Sequence, residues 1–237
     1  MIKFENIEVI GWEHAIHGMR NPLESWEKSD SCWYEKTPNF FDLPNEVLPV
    51  RQEGSEVFCI GPNDLNLMTR LRNAGTDHRK FIRMIAVYVD ITAPRYWWSE
   101  FDTYKIGTVA NSCSTMHCIH KKEFTLDDFS HEHMTLRSSR LLMQTIKYLN
   151  EARNIYVNQE IKHLDPAKKE VWWQMIQLLP SSYNQKRTVM LNYEVLANIY
   201  KSRNGHKLDE WREFCKWIRN LPCSELITGK MQQTNDT

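Results

Sequence analysis

The chain has no excess of charge of either sign. Its 237 residues include 30 Lys and Arg and 30 Asp and Glu, so the formal net charge is zero. Attraction to duplex nucleic acid depends on a basic excess, because cationic side chains release counterions from the phosphate backbone. We therefore expect no stable binding to duplex nucleic acid, and a small ligand is the favoured partner.

Long apolar runs and paired cysteines are also missing. No window approaches 18 uninterrupted apolar residues, and the opening MIKFENIEVIGWEH becomes polar too early for a signal peptide. The six cysteines are scattered and form no Cys-x2-Cys pair, which favours free thiols in a reducing compartment. We expect a cytoplasmic protein that does not span a membrane.

The residues that are present, 41% hydrophobic and 25% charged, are typical of a globular protein. Alternating apolar and polar residues predict a strand over residues 1–10. A segment that is mostly apolar on both faces predicts a central strand over residues 82–91. Residues 18–63 are rich in Pro, Asn and Ser, which predicts a largely irregular segment.

Helical periodicity dominates the second half of the chain. Before it, a short helix is predicted over residues 64–75, with Asp64 as its N-cap and Gly75 as its C-terminal stop. A long helix is predicted over about residues 135–161. Its apolar stripe consists of Leu142, Ile146, Leu149 and Tyr156.

Three further helices complete the prediction. One spans residues 166–179, with Asp165 as its cap and Pro180 as its end. Two more follow from apolar stripes at helical spacing, which are Leu191, Val195 and Ile199, and then Leu208, Trp211, Cys215 and Ile218. The predicted fold class is α/β (α+β), a single domain over residues 1–228 with a small sheet and several packed helices. Residues 229–237 are predicted to be a frayed tail.

The segment from Thr92 to His117, TAPRYWWSEFDTYKIGTVANSCSTMH, follows the predicted central strand and fits no amphipathic pattern. It is dense in Thr, Asn, Ser and Cys. Small hydroxyl and amide groups suit a loop that binds a phosphate or a base better than they suit a core. Its aromatic residues could stack on a flavin or a base, or pack in the core or at a subunit interface; they are Tyr96, Trp97, Trp98 and Phe101.

A metal site is an alternative use of the residues near this segment. The ligand types suit zinc, although their spacing is not a standard zinc pattern; they are Cys113, His117, Cys118, His120, His131 and His133. The last two histidines could equally form a polar cluster before the long helix, so we assign no metal site. Cys113 could be a nucleophile or a small buried residue. Asp127 and Asp128 are typical of acids at a helix N-terminus.

Three stretches of the chain, each weak alone, match one enzyme family in order and spacing. They are GTDHRKFIRMIAVYVDITAP, TYKIGTVANSCSTM and LPSSYNQKRTVMLNYEVLANIYKSRNGHKLDEWREF. Over roughly residues 65–225 the chain resembles the flavin-dependent thymidylate synthases, which methylate dUMP using FAD, NADPH and methylenetetrahydrofolate. It also resembles phage and prophage proteins of unassigned role over residues 18–31 and 90–112. The resemblance implies a mainly antiparallel sheet, a homotetramer and a divergent, phage-type member of the family.

The resemblance assigns roles to residues of the first two stretches. His78 matches a histidine that contacts the flavin, and a solvated loop histidine is the alternative interpretation. Lys105 stands at the third position of the family's Arg-His-Arg motif and is assigned to the cofactor. Glu100 matches a glutamine near the pyrimidine and would orient the base. The residues assigned to the nucleotide in this loop are Asn111, Ser112 and Ser114.

The third stretch adds three candidate residues. Asn192 matches a family asparagine, and Asn198 and Arg203 preserve an Asn-x4-Arg pair. The resemblance implies that the two asparagines bind the cofactor and that Arg203 contacts the nucleotide and promotes its reaction. Alternatively, Arg203 is a solvated cation that the helix dipole favours.

Several arginines of the family pattern are replaced in this chain. The replacements are Thr103, Lys105, Met116, Ile176 and Glu194. Arginine binds phosphate through two parallel hydrogen bonds, whereas lysine offers a compact charge and threonine or methionine none. Each missing contact would cost about 1.5–3 kcal/mol of binding free energy. We therefore expect weak binding of ordinary dUMP, or binding of a different ligand.

Two hypotheses about function follow. In the first, the protein is a flavin-dependent enzyme that transfers a methyl or hydroxymethyl group to a dUMP-like pyrimidine nucleotide. The absence of a Ser-His-Asp arrangement does not count against it, because the cofactors bring the difficult chemistry. In the second, the fold is catalytically inactive and binds or sequesters a nucleotide.

Overall fold

A computed structural model of the chain describes residues 2–35, 43–44, 46–158 and 166–229. Its strands are β1 (Lys3–Ile10), β2 (Cys32–Glu35), β3 (Leu48–Glu53), β4 (Glu56–Ile60), β5 (Ala86–Pro94), β6 (Val109–Ser112) and β7 (Asn184–Asn192). Its helices are α1 (Trp12–Arg20), α2 (Pro62–Asn73), α3 (Arg95–Phe101), α4 (Thr115–Cys118), α5 (Leu136–Asn158), α6 (Pro166–Leu178), α7 (Tyr193–Arg203), α8 (Asp209–Arg219) and α9 (Glu225–Thr228). Short 3-10 helices include Arg79–Met84 and Leu126–Asp128.

The strands form a four-stranded sheet in the order β1-β5-β7-β6 and a three-stranded sheet in the order β2-β4-β3. Both pairs of the smaller sheet are antiparallel, with Cys32 opposite Cys59 and Glu53 opposite Glu56. The prediction of a largely irregular segment over residues 18–63 is therefore wrong. The apolar run in β4 is buried and drives the pairing.

The predicted central strand is confirmed, with a later start. β5 lies between β1 and β7 and buries Val87, Val89 and Ile91 on one face, while Tyr88 on the other face is exposed. The preceding residues form the 3-10 helix Arg79–Met84 instead of extending the strand. Only one face of the strand is therefore fully apolar, as in a sheet covered on one side.

Asp64 is not the N-cap of α2, which corrects the prediction. Gly61 holds that position, followed by Pro62 at the first helical turn. Asp64 is fully buried and accepts hydrogen bonds from Arg20 Nε at 2.8 Å and Ser31 Oγ at 2.6 Å. Gly75 follows the helix end at a φ of 113°, which agrees with its predicted role as a stop.

The long helix is confirmed as α5, and the next helix begins at Pro166 as predicted. Its predicted cap, Asp165, lies outside the described residues, as does the tail beyond residue 229. The helix predicted from Leu191, Val195 and Ile199 begins later than that stripe suggests, because Leu191 belongs to β7. The last predicted helix is confirmed as α8, with Leu208 as its N-cap.

Helices and antiparallel sheet together confirm the predicted fold class, whereas the boundary at residue 228 stays a prediction. The chain divides into two compact units. Unit 1 comprises Met1–Glu5, Asp90–Thr103 and Ala110–Thr188, and unit 2 comprises Asn6–Val89, Tyr104–Val109 and Val189–Thr237. In the described ranges, every helix is too short or too polar to cross a bilayer.

Each unit has its own apolar core. In unit 1, Leu142, Ile146 and Leu149 of α5 pack with Met175 of α6 and with Phe129. The core of unit 2 contains large aromatic side chains, with Trp12 packed edge-on against Tyr193 at 5.5 Å between ring centroids. These cores hold the loops that carry the candidate functional residues.

Candidate functional site

The hydroxyl-rich loop of residues 112–117 lies in unit 1, where hydrogen bonds from β7 fix its backbone. The Cys113 amide donates to the Lys186 carbonyl at 2.9 Å. The side-chain amide of Gln185 donates to the Cys113 carbonyl at 3.1 Å and to Thr115 Oγ1 at 3.3 Å. The loop is therefore positioned by the sheet and not by its own sequence alone.

Two of the three residues predicted to bind the nucleotide, Ser112 and Ser114, line the same cavity. Ser112 ends β6 and is exposed, with no side-chain hydrogen bond to a described residue. Ser114 is the N-cap of α4, and its Oγ accepts a hydrogen bond from the His117 amide at 3.3 Å. The third, Asn111, is exposed on β6 and lies outside the lining of that cavity.

This cavity, here called the arginine cavity, has a volume of about 560 Å³. Its walls carry two arginines, five hydroxyl side chains, one amide and two apolar side chains, and no carboxylate. They are Arg95, Arg187, Ser99, Ser112, Ser114, Thr115, Ser181, Gln185, Met116 and Leu179. The volume lies within the roughly 300–1,000 Å³ of small-molecule sites. Cationic and hydroxyl donors without a carboxylate suit an anionic ligand.

Arg187 is held in place on several sides. Its guanidinium lies 4.2 Å from the ring centroid of Trp98, whose Nε1 donates to the Gln185 carbonyl at 2.9 Å. Arg187 Nε donates to Gln185 Oε1 at 3.2 Å, and Nη1 donates to Asp102 Oδ1 at 2.7 Å. Among the described residues, Nη2 has no hydrogen-bond partner. Arg187 therefore lines the cavity in a fixed orientation and keeps one donor group free of described partners.

Arg95 is the second arginine of this cavity. It opens α3 directly after Pro94, and its side chain is exposed. Its amide donates to the Tyr183 carbonyl at 3.0 Å, which fixes the start of the helix. Sequence reasoning missed both arginines, because neither stands at a position of the family motif. The only signal for Arg187 is strand alternation, which places it on the same face as Gln185.

A second cavity in unit 1, here called the lysine cavity, has a volume of about 630 Å³ and a balanced charge. Three lysines face three carboxylates; they are Lys3, Lys122, Lys186, Asp127, Asp128 and Glu132. Lys122 pairs with Asp128, and Lys186 pairs with Glu5 at 3.0 Å and with Asp90 at 3.3 Å. Hydrogen bonds to these carboxylates raise the pKa of both lysines. Such lysines are already partnered, which makes this cavity a poorer anion site.

Glu100 and the aromatic run lie on α3 of unit 1. Trp97, Trp98 and Phe101 are almost fully buried and pack against one another, so they belong to the core. The interpretation of these three rings as a stacking platform for a flavin is not supported. Glu100 is half-buried, and it is outside the lining of the arginine cavity.

The residues predicted to bind the cofactor lie in unit 2. His78, Lys105 and Asn198 are exposed. Asn192 is the N-cap of α7, where its Oδ1 accepts from the Val195 amide at 3.0 Å. The structure therefore gives Asn192 a capping role, and it leaves three exposed donors as candidates.

Arg203 ends α7 and lies between two aromatic rings. Its guanidinium is 4.6 Å from the ring centroid of Trp211 and 5.7 Å from that of Tyr104. Its Nε donates to the Tyr104 hydroxyl at 2.9 Å, and Nη1 lies 3.1 Å from His206 Nε2. Arg203 stands in the last turn of α7, as the helix-dipole interpretation requires, but it is half-buried and stacked and so is not freely solvated. Tyr104, which replaces a basic motif residue, takes part in this arrangement.

Glu194, which stands where the family has an arginine, forms a two-point ion pair with Arg79. Nε and Nη2 of Arg79 donate to the two carboxylate oxygens at 2.9 and 2.8 Å. Both side chains are nearly buried, at 13% and 11% exposure. The pair fastens the start of the 3-10 helix Arg79–Met84, and so the neighbouring His78, to the first turn of α7.

One buried hydroxyl in unit 2 lacks a partner. Thr108 Oγ1 is buried and, within the described part of the chain, forms no hydrogen bond. It lies three residues after Lys105. Gly107 lies so close to α7 that a Cβ there would come within 3.2 Å of Asn192 Nδ2. An unsatisfied hydroxyl and exposed cationic donors fit the chemistry of a phosphate-bearing cofactor.

The metal alternative is not supported in the described ranges. There, no group of three or more His, Cys, Asp and Glu side chains is arranged to hold a metal ion.

All six cysteines are free thiols, as predicted. Burial raises the pKa of the Cys215 thiol to about 11, so this thiol is inert. Cys113 is exposed and lines the lysine cavity, which contradicts its interpretation as a small buried residue. Asp128 forms a capping box with Thr125, which confirms the helix N-terminal role of that acid.

Comparison with known proteins gives a likeness at the level of structure. No family model matches the sequence, and no curated protein does. A crystal structure of thymidylate synthase X (ThyX) from Helicobacter pylori with FAD and dUMP aligns over 96% of this chain and 98% of that one, with a TM-score of 0.61 and 15% identity. A second structure of the flavin-dependent enzyme from this organism, complexed with FAD and dUMP, aligns over 94% and 98%, with a TM-score of 0.59 and 16% identity. At these identities the likeness shows that the chain has a ThyX-like fold.

Proposed function

We propose that the protein binds a pyrimidine nucleotide such as dUMP in unit 1 and acts as a flavin-dependent one-carbon transferase. The observation that carries the proposal is the arginine cavity. Ser114, which matches a serine of the family motif, and Ser112, which the sequence analysis also assigned to the nucleotide, line it together with cationic groups and no carboxylate. The ThyX-like fold supports the choice of ligand, because both aligned enzymes were crystallised with dUMP and FAD.

The proposed roles of the remaining residues follow the sequence predictions. The sequence prediction for Glu100 is that it orients the base. For Arg203 it is a role in promoting the reaction, and stacking on Trp211 restricts the orientation of its guanidinium. His78, Lys105 and Asn198 donate to FAD, and Thr108 Oγ1 gains the partner that it lacks. Reduced flavin would supply the reducing equivalents of the reaction. NADPH and methylenetetrahydrofolate enter the proposal only with the complete family activity.

A second candidate function has an observation in its favour. Glu194 replaces an arginine of the family pattern, and its carboxylate forms an ion pair with Arg79. A fold that keeps the nucleotide cavity but has converted a family cation into a structural pair would bind or sequester a nucleotide without catalysis. Phage origin, a homotetramer and a cytoplasmic location remain predictions from the sequence in either case.

The colour of the purified protein separates the two candidates. An enzyme that holds FAD should be yellow, or should gain thermal stability when FAD is added. Lys105→Gln should reduce that gain, whereas Lys201→Gln, an exposed lysine of α7 in the same unit, should not. A colourless protein that FAD does not stabilise would rule out the flavin enzyme. The binding function then depends on whether dUMP raises the melting temperature.

A further inference from the structure

We propose that Arg95 and Arg187 form a relocated phosphate site, which takes over the task of the arginines missing from the motif. The inference rests on the proposed nucleotide binding and names the residues that receive the phosphate. Neither arginine stands at a position of the family motif, and both line the cavity of Ser112 and Ser114. The missing motif cations therefore have substitutes in the same cavity.

The geometry of Arg187 meets the main requirement of a phosphate receptor, which is a fixed orientation before the ligand arrives. Trp98 supports the face of its guanidinium, and Gln185 accepts from its Nε. Gln185 also donates to Thr115 Oγ1 in the hydroxyl-rich loop. The same amide thus positions both the cation and the loop that would surround a phosphate.

The partner of Arg187 is a weak competitor. Asp102 is 52% exposed, so solvent screens its attraction for the guanidinium. Asp102 is also outside the lining of the cavity, whose walls carry no carboxylate. A phosphate with two negative charges can therefore bind the open Nη2 without displacing a buried ion pair. Arg95 is exposed and needs no rearrangement of the core to reach the same ligand.

The lysine cavity offers no equivalent site. Its lysines face carboxylates in equal number, and Lys122 and Lys186 are paired with them. A phosphate there would have to break existing pairs and approach Asp127 or Asp128. The two cavities share Ser114, Thr115 and Gln185, and of the two only the arginine cavity has a net positive charge.

The test is a calorimetric titration of the full chain with dUMP, deoxyuridine and inorganic phosphate. We expect dUMP to bind at least about tenfold more tightly than deoxyuridine, since a charge-assisted contact contributes that much or more. Arg187→Gln and Arg95→Gln should each lower the ratio of the affinity for dUMP to that for deoxyuridine by about tenfold. Arg137→Gln, an exposed arginine of α5 that lines neither cavity, is the matched control and should change nothing.

The arginine variants could lose affinity simply because they misfold. A variant that is expected to gain affinity avoids this ambiguity. Asp102→Asn removes the carboxylate that holds Nη1 of Arg187 but keeps the arginine, so phosphate and dUMP should bind a few-fold more tightly. If dUMP binds with full affinity to both arginine variants, the relocated site is wrong while nucleotide binding stands. If inorganic phosphate binds through these arginines but dUMP does not, the proposed function fails and the phosphate site stands. If neither ligand binds the unmodified protein, both proposals are overturned.

Discussion

The arginines of the two units are used in different ways. In unit 2, Arg20 donates to the buried carboxylate of Asp64, Arg79 is paired with a carboxylate, and Arg72 donates to backbone carbonyls of α9. In unit 1, Arg187 lines a cavity and keeps one nitrogen without a partner among the described residues, and Arg95 is exposed. An arginine can bind a ligand only where its donors are still available. Substitutions that break the paired arginines of unit 2 should therefore change stability, and substitutions of Arg187 and Arg95 should change affinity.

The largest effect is expected from Asp64→Ala. The change leaves the buried charge of Arg20 without its partner, which costs about 3–5 kcal/mol of unfolding free energy. Urea denaturation measures this loss. Asp77→Ala, an exposed acid in the same unit, should change stability by less than about 0.5 kcal/mol. A loss below about 1 kcal/mol for Asp64→Ala would show that the pair of Arg20 and Asp64 does not stabilise the fold.

The contribution of Asp64 to the free energy of unfolding should decrease at acid pH. Burial alone would raise the pKa of Asp64, but hydrogen bonds from Ser31, Ser29 and Arg20 outweigh it and lower the pKa. A carboxylate with a lowered pKa stabilises the fold above its unfolded-state value of about 3.9, and the contribution is lost as the pH falls through the folded-state value. Asp64→Asn should abolish this part of the acid sensitivity. An unchanged pH profile in that variant would contradict the assignment.

Glu194→Ala should have the next largest effect. It removes a two-point ion pair that is nearly buried, so we expect a loss of about 1.5–3 kcal/mol of unfolding free energy. The exchanged pair, Arg79→Glu with Glu194→Arg, should be more stable than either single reversal in a double-mutant cycle. If the three variants are equally unstable, the pair does not act as a unit.

Ser112→Ala and Ser114→Ala should sharpen the assignment of the cavity. Each loses one hydroxyl contact with the nucleotide, which is about 1 kcal/mol or roughly fivefold in the dissociation constant of dUMP. Ser114 also caps α4, so its replacement should cost about 1 kcal/mol of stability, whereas that of Ser112 should not. Equal affinity in the unmodified protein and both variants, measured by calorimetry, would place the nucleotide elsewhere.

The smallest effect is expected in the lysine cavity. Lys122 is 68% exposed, and its pair with Asp128 lies near the surface. Lys122→Ala should therefore change the unfolding free energy by less than about 0.5 kcal/mol and the affinity for dUMP by less than about twofold. A large loss of dUMP binding would move the phosphate from the arginine cavity to this one.

The sequence predicted the elements that depend on local periodicity. The alternation in β1 and the apolar stripe of α5 are both present in the structure. The three-stranded sheet was missed because its strands are short and their pairing joins residues distant in the chain. Asp64 was assigned to a cap because capping is a local pattern. Its actual partner, Arg20, is 44 residues away.

In the candidate site, too, local sequence patterns predicted some residues, whereas contacts between distant residues determine the others. Ser114 could be predicted, because a motif fixes its place along the chain, and Ser112 was assigned with it as a hydroxyl of the same segment. Arg187 could not, since its role depends on Trp98 beneath its guanidinium and on a cavity that the fold creates. The contact of Arg203 with Tyr104 likewise joins residues that are 99 positions apart in sequence.

A crystal structure of the protein with dUMP would show where the phosphate binds. We expect the phosphate in the arginine cavity, with its oxygens within hydrogen-bonding distance of the guanidinium of Arg187 and of the hydroxyls of Ser112 and Ser114. A phosphate bound instead to Lys122 in the lysine cavity, or to Lys105 or Arg203 in unit 2, would contradict this expectation.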